Sequence, residues 1–329
     1  MKLLLIGNYG VGNLGDELLR EYFLGLRFEP FDIAQGDMEW IIVSAHPRGA
    51  SEVPRLPIGV RSFFGPWWRT LREYWRCDGM VLGGGTLFTD VESPKACLLW
   101  GMHVLMARIF RKPVFLAFQG IGPFRTRRAQ WWARFAVRHA AFVSVRDAAS
   151  AQRARTLGAQ DVVLSFDPVI LMFDFAEASD QVRNALIIIP RKNSAPSFAT
   201  RAASITSAAW YSTVRILSFQ PDNPFETKAC RAMTDALPGA SVVPLTTLEE
   251  LRAALKGAAF VFTERYHGAV AAYAAGIPFE VVSQGEEDKF AAFPTSVPLQ
   301  ELRGRVQAGE AALRKAMGLI IRQKKRELR

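Results

Sequence analysis

Apolar residues come in short runs, and each run is followed by a longer stretch in which apolar and polar positions mix. Parallel strands buried on both faces read as continuous apolar runs, and alternation with amphipathic stretches predicts helices between them. In the first half the runs are KLLLIG (2–7), WIIVSA (40–45), GMVLGG (79–84), PVFLAF (113–118), FVSV (142–145) and VVLSF (162–166). Helices are predicted over 16–27, 95–110, 128–139 and 147–157. The polar stretch DFAEASDQVRN (174–184) reads as a linker. A second series follows: ALIIIP (185–190), VRILSF (214–219), ASVVPL (240–245), AAFVFT (258–263) and FEVVS (279–283). The chain has 329 residues, and at about 150 residues per domain that means two domains. The expectation is an α/β protein with two doubly wound, Rossmann-like domains, 1–175 and 176–300, facing a cleft. Residues 301–329 read as one long, basic, amphipathic helix. The stretch 47–76, containing GPWWRT, fits no regular element and reads as a Trp-rich packed excursion rather than a loop over the cleft.

In doubly wound sheets ligands gather at the carboxyl ends of strands. The first such end is GNYGVGNLGDELL (7–19), where Gly10, Gly12 and Gly15 satisfy the dinucleotide spacing G-x-G-x-x-G. A dinucleotide site also needs an acid at the end of the second strand, and there the chain has Ser44, Ala45 and His46. No G-K-[ST] follows any glycine cluster, so a Walker loop is absent too. What remains is a turn carrying Asn13 and Asp16 into a helix. Either Asp16 is the helix N-cap, or both side chains enter the cleft and Asp16 binds sugar hydroxyls or acts as a base. Further strand ends carry Gly83, Gly84 and Gly85, then Gln119, Gly120 and Gly122, then Arg146, Asp147 and Ser150. Each is ordinary alone, but successive strand ends lie along one edge of a sheet and together form a binding rim.

The second half offers a sharper signal in FVFTERYHGAVAAYAAGIPFEVV (260–282). A strand ends at Thr263, and Glu264-Arg265-Tyr266-His267 open a helix of small residues. A helix N-terminus beside an arginine suits phosphate or carboxylate, and a histidine at the positive end of the dipole gives up a proton easily. The alternative is that Arg265 and His267 merely start a buried helix. Arg191 and Lys289 follow other strands of this half and would join Arg265 in a cationic pocket, or else be solvated charges.

Composition narrows the class. Apolar residues make up 50 % and charged residues 22 % of the chain, an ordinary globular balance. The net charge of +10 favours anionic partners. Cys77, Cys97 and Cys230 lie far apart, which is no disulfide framework, and we expect reduced, buried thiols in a cytoplasmic protein. His46, His103, His139 and His267 show no metal-ligand spacing, so no metal is expected. No apolar stretch reaches the ~20 residues that span a bilayer.

GNLGDELL (12–19), GGGTLF (83–88), QGIGP (119–123), VRD (145–147) with Ser150, FDP (166–168) and ERYHGAVAAYAAGIPF (264–279) with Lys289, in that order, resemble the polysaccharide pyruvyl transferase family. The family usually has Ser where Thr263 stands, and residues 30–76 match nothing that carries over. The resemblance implies a two-domain glycosyltransferase B-like fold that moves the pyruvyl group of phosphoenolpyruvate onto two sugar hydroxyls as a ketal. It implies exopolysaccharide biosynthesis in the cell envelope, a polyprenyl-linked saccharide acceptor, and a place at the inner face of the membrane. The expected catalytic residues are His267, as acid or phosphate ligand, and Asp16, as base. Arg265, Tyr266, Arg191, Lys289, Asn13, Gly15, Gly84, Gln119 and Arg146 are expected to bind substrate, with no metal or redox cofactor. The basic tail, with Arg322, Lys324, Lys325, Arg326 and Arg329, would touch an anionic leaflet or simply end a solvated helix. The alternative function is a sugar-nucleotide-dependent glycosyltransferase of the same fold, with Glu280 as a ribose contact. A basic scaffold for nucleic acid or lipid would explain RQKKRELR but not the glycine turns, and no nucleic-acid partner is expected.

Overall fold

The computed structural model describes residues 1–26, 38–173, 183–208, 211–283, 290 and 293–327. Contacts divide the chain into two compact units. The first comprises Met1–Val11, Leu19–Pro168 and Gln300–Arg329, and the second Gly12–Leu18 and Val169–Leu299.

The first unit is built on β1 (Lys2–Ile6), β2 (Glu39–Ser44), β3 (Glu52–Pro54), β4 (Gly79–Gly83), β5 (Val114–Gln119), β6 (Phe142–Val145) and β7 (Val163–Leu164). All pairs are parallel, in the order β3-β2-β1-β4-β5-β6-β7. The first strand lies inside the sheet, third of seven, with Leu4 in register with Ile41 on one side and Met80 on the other. Buried on both faces, β1, β4 and β5 read as unbroken apolar runs for that reason. Crossovers are made by α1 (Leu14–Gly25), α2 (Val60–Phe63), α3 (Trp68–Arg76), α4 (Ala96–Ile109), α5 (Arg127–His139) and α6 (Ala148–Leu157). Local chemistry sets their ends. Thr126 and Asp147 cap the first turns of α5 and α6, and Gly158 closes α6 with φ 103°, a left-handed conformation that costs glycine nothing.

The stretch 47–76 corrects the sequence reading, because it contains β3, α2 and α3. Pro54, Pro57 and Pro66 cut it into pieces too short for a periodic signal. In α3 the usual pattern is inverted: Thr70, Glu73 and Tyr74 face inward, while Trp68 and Trp75 are exposed. The expectation that the tryptophans of this stretch are packed is therefore corrected for Trp68 and Trp75.

The second unit is a five-stranded parallel sheet, β10-β9-β8-β11-β12. Its strands are β8 (Ala185–Ile189), β9 (Thr213–Ser218), β10 (Ser241–Pro244), β11 (Ala258–Thr263) and β12 (Phe279–Val281). Its helices are α7 (Pro196–Ala208), α8 (Pro224–Ala236), α9 (Leu248–Leu255) and α10 (Tyr266–Ala274). Phe198 stacks on Phe262 at 4.5 Å in a core shared by α7, α8 and the central strands. Most of the expected linker, residues 174–182, lies outside the described residues.

The last helix, α11 (Leu299–Glu327), counts with the first unit from Gln300 on. Leu302, Val306, Leu313 and Met317 share one face and are fully buried. Ser165 Oγ donates to the Arg305 carbonyl at 3.0 Å, and Tyr22 Oη to Glu310 at 2.6 Å. Burial and that carboxylate hold the Tyr22 phenol far above its ordinary pKa. The side chains of Arg322, Lys324, Lys325 and Arg326, and all of Arg329, lie outside the described residues. Among the described residues no helix is long and apolar enough to cross a membrane.

Candidate active site

In the second unit β11 ends at Thr263, and two residues later α10 begins. Thr263 Oγ1 accepts the Arg265 N–H at 2.9 Å and donates to the Arg265 carbonyl at 3.2 Å, which fixes the turn between strand and helix. Serine would carry the same hydroxyl, so either residue keeps the turn. Behind the turn the helix must be slim. A Cβ on Gly268 would stand 2.7 Å from Thr263 Oγ1 and 2.8 Å from Ile189 Cδ1. Ala269, Val270, Ala271 and Ala272 are fully buried, so α10 is apolar all round and lies inside the unit.

The Arg265 side chain is nearly buried and densely bonded. Its Nε donates to the Pro190 carbonyl (3.2 Å), Nη1 to Asn13 Oδ1 (3.2 Å) and Nη2 to Gln220 Oε1 (3.4 Å). Its charge is met by Glu226 Oε2. Glu226 has no exposure and is itself held through Oε1 by Ser218 Oγ (3.2 Å) and the Gln220 N–H (2.8 Å). The guanidinium also lies 5.9 Å over the Phe219 ring. It is therefore a clamp with its charge neutralised, and a ligand anion reaching it competes with a buried carboxylate.

The first turn of α1 belongs to the same unit. The Leu14 N–H donates to the Phe219 carbonyl at 2.9 Å. The Asn13 carbonyl receives the N–H groups of Asp16 and Glu17, and Asn13 Nδ2 donates to Asp16 Oδ2 at 2.6 Å. Asp16 is thus not the residue before the helix; it stands in the first turn, and Asn13 precedes it. Asn13 bridges the two ionised groups, taking a bond from Arg265 and giving one to Asp16. Beside it the His267 ring occupies the space that a side chain on Gly15 would fill, with Cγ only 2.6 Å from the ideal Cβ position. Two helix N-termini therefore meet at one place. His267 and Asp16 stand in their first turns, where amide N–H groups and the helix dipoles favour an anion.

Arg191 begins the turn after β8. Its N–H donates to Ser194 Oγ at 2.8 Å, and Ser194 is also bonded to the buried carboxylate of Glu264. Tyr266, expected to bind substrate, is 4 % exposed and packs its ring 6.1 Å from Phe290 and 5.7 Å from Phe293. Lys289 lies outside the described residues. Glu280 makes two hydrogen bonds to Arg201, at 3.1 and 3.2 Å.

Within the first unit the expected binding residues are braces. Gln119 is fully buried, and its Nε2 donates to the carbonyls of Leu82, Gly84 and Ala117 at 2.9–3.2 Å. Arg146, 3 % exposed, donates to Thr86 Oγ1 at 2.8 Å and lies 3.6 Å from Asp147 and 3.8 Å from Asp167. Gly84 has φ +69° and sits against Leu19, which explains the glycine without a ligand. The sequence presents these groups at strand ends, and only the fold shows their polar atoms turned inward. Sequence reasoning also missed Glu226 and Gln220. Glu226 follows Asn223-Pro224 in the first turn of α8, where an acid is the ordinary choice, so nothing local marked it.

Among the described residues no group of three or more His, Cys, Asp or Glu is arranged to hold a metal ion. Cys77, Cys97 and Cys230 are free, buried thiols. Burial pushes Cys77 up to about 11 and Cys97 to about 12.

The family model of polysaccharide pyruvyl transferases matches residues 13–285. No curated protein matches the chain. Among solved structures, the Neisseria meningitidis UDP-GlcNAc 2-epimerase bound to UDP-GlcNAc is 11 % identical with a TM-score of 0.55, over 97 % of this chain and 94 % of that one. MnaA of S. aureus, solved with UDP, is 12 % identical with a TM-score of 0.56, over 96 % and 90 %. The Methanocaldococcus jannaschii UDP-GlcNAc 2-epimerase is 11 % identical with a TM-score of 0.54, over 99 % of both chains. At such identities the likeness is one of fold: two Rossmann-like domains of the glycosyltransferase B kind.

Proposed function

The chain belongs to the polysaccharide pyruvyl transferase family, and from that premise we propose that it joins phosphoenolpyruvate to two hydroxyls of a polyprenyl-linked saccharide, forming a pyruvate ketal. As a transferase of this family it needs a pyruvyl donor and a saccharide acceptor. The observation that carries the finer reading is the meeting of His267 with the Asp16–Asn13–Arg265 chain at the first turns of α10 and α1.

The donor carries a carboxylate and a phosphate. Two helix N-termini, Arg191 and, from the sequence, Lys289 supply positive potential for them. His267, as imidazolium, gives a proton to the methylene carbon, which becomes methyl and leaves the central carbon electrophilic. Asp16 takes the proton of the first attacking hydroxyl, whose oxygen bonds to that carbon. The carbon–oxygen bond to phosphate then breaks, and the second hydroxyl closes the ketal. Of the two hydroxyl protons, one replaces that spent on the methyl group and the other leaves with phosphate. Arg265, neutralised by Glu226, orients Asn13 and through it Asp16. Gly15 makes room for the His267 ring. No metal or redox cofactor enters this chemistry, and we place the reaction in the cytoplasm at the inner membrane face, where lipid-linked precursors are presented.

A nucleotide-sugar donor is the competing chemistry. Its ribose contact would be Glu280, which sits in a largely exposed ion pair with Arg201 that a ligand would have to displace. The test is thermal unfolding with each donor, since a ligand bound only by the native state raises Tm. Phosphoenolpyruvate should raise Tm and UDP-GlcNAc should not, and phosphate release should require a saccharide acceptor. Strong stabilisation by nucleotide sugars with none by millimolar phosphoenolpyruvate overturns the proposal.

A further inference from the structure

The segment 58–76, which the family reading does not use, carries a cluster of outward aromatic side chains in the first unit. Val60 is 80 % exposed, Phe63 61 %, Phe64 85 %, Trp68 59 % and Trp75 76 %. Single exposed apolar residues are commonplace, but a run of large ones close together marks a contact surface. The cluster is ordered by its own contacts. The Phe63 ring lies 6.3 Å from Phe64 and 5.7 Å from Trp67, and Trp67 Nε1 donates to the Phe63 carbonyl at 2.9 Å. On α3, Trp68, Arg72 and Trp75 are spaced i, i+4, i+7 and so form one outward stripe.

The helix cannot roll to bury that stripe, because its other face is committed. Glu73 is buried against Lys2 Nζ at 2.8 Å, Tyr74 Oη lies 2.7 Å from His103 Nδ1, and Thr70 bonds to the Pro54 carbonyl. Charge then identifies the occupant. The segment holds four arginines and one glutamate, the buried Glu73. Arginines outnumber that carboxylate four to one, and Arg72 and Arg76, about half exposed beside the tryptophans, reach it at 3.3 and 3.7 Å, so the segment keeps a net positive charge. Tryptophan and phenylalanine interleaved with arginine on one short amphipathic element match the boundary between lipid headgroups and acyl chains. We propose that residues 58–76 form a docking surface for an anionic lipid bilayer. Aromatic rings enter the interface there, and arginines pair with lipid phosphates. This goes beyond the transfer reaction, and it would hold the enzyme on the surface that carries lipid-borne acceptors.

Vesicle co-sedimentation of the full chain tests this, and it reads binding rather than turnover. The vesicles are phosphatidylcholine alone or mixed with phosphatidylglycerol, across a salt series. The wild type should bind the anionic vesicles and weaken as salt screens the arginines. Its tryptophan emission should shift to the blue on binding. A variant with Phe63→Ser, Phe64→Ser, Trp68→Ser and Trp75→Ser changes only exposed side chains. It should keep its melting temperature and lose about tenfold or more in binding. Lys324→Gln, Lys325→Gln and Arg326→Gln in the tail should leave most of the binding and the blue shift intact. The proposal is overturned if the wild type ignores anionic vesicles, if the aromatic variant binds as well as the wild type, or if only the tail variant fails. It is equally overturned if the wild type self-associates through these residues instead of binding lipid.

Discussion

Gly15→Ala isolates the seating of His267 from every other feature of the site. The position has ordinary helical backbone, so alanine alone would favour α1 by up to about 1 kcal/mol. Against that, the new methyl would lie 2.6 Å from His267 Cγ and 2.7 Å from Cε1, where ordinary contact begins near 3.4 Å. Because Cγ itself is in the way, turning the ring about χ2 gives no relief. The imidazole must swing about χ1, away from the two helix starts. The gain in helix propensity and the lost packing nearly offset each other, so unfolding in urea should shift by less than about 1 kcal/mol. Turnover should fall by about 10²–10⁴-fold, the worth of a positioned proton donor, or about 3–5 kcal/mol in the barrier. The assay is phosphate release from phosphoenolpyruvate with a saccharide acceptor, run as a double-mutant cycle with His267→Ala. Once the ring is gone, Gly15→Ala should cost no further activity and should stabilise the protein by about 0.5–1 kcal/mol. Full turnover in Gly15→Ala, or the same loss whether or not the imidazole is present, refutes the argument.

Three further outcomes follow from the same geometry. Glu226→Ala leaves a buried guanidinium without its counter-charge and should cost about 3–5 kcal/mol in urea unfolding, whereas Glu226→Leu combined with Arg265→Met should recover most of that; a loss under about 1 kcal/mol would mean the pair is not desolvated. Arg265→Lys keeps the charge but not the fork that reaches Asn13, Gln220 and Pro190, so kcat should fall more than KM rises; a change in KM alone would make Arg265 a donor ligand rather than an orienting group. Burial, with the Arg55 charge beside it, pushes His103 down to about 3 from 6.5. The unfolded chain takes a proton that the folded one refuses, so stability should fall from pH 6.5 toward 3, by up to about 1.4 kcal/mol per pH unit. His103→Gln should flatten that limb in urea midpoints, and an unchanged limb would remove His103 as its cause.

Every strand expected from an apolar run is present, because parallel strands covered on both faces need continuous apolar sequence and little else produces it. The start of α10 was legible for a similar reason. Strand, turn and small-residue helix are local features, and Thr263, Arg265 and His267 lie within a few residues of each other. The Trp-rich stretch was not legible. Hydrophobic pattern assumes apolar side chains point inward, and on α3 the fold commits Thr70, Glu73 and Tyr74 to the interior and leaves Trp68 and Trp75 outside. Nor could the sequence foresee that the Gln119 amide nitrogen bonds to neighbouring carbonyls and Arg146 to a hydroxyl and carboxylates, since a strand end looks alike whether its side chain faces ligand or protein. The chain order supplied Asn13, Asp16, Arg265 and His267 as separate candidates. Only tertiary structure could link them, because hydrogen bonding between positions some 250 residues apart depends on where the helices are carried, and it was the fold that set Glu226 beneath Arg265 and turned an expected anion-binding arm into a neutral clamp.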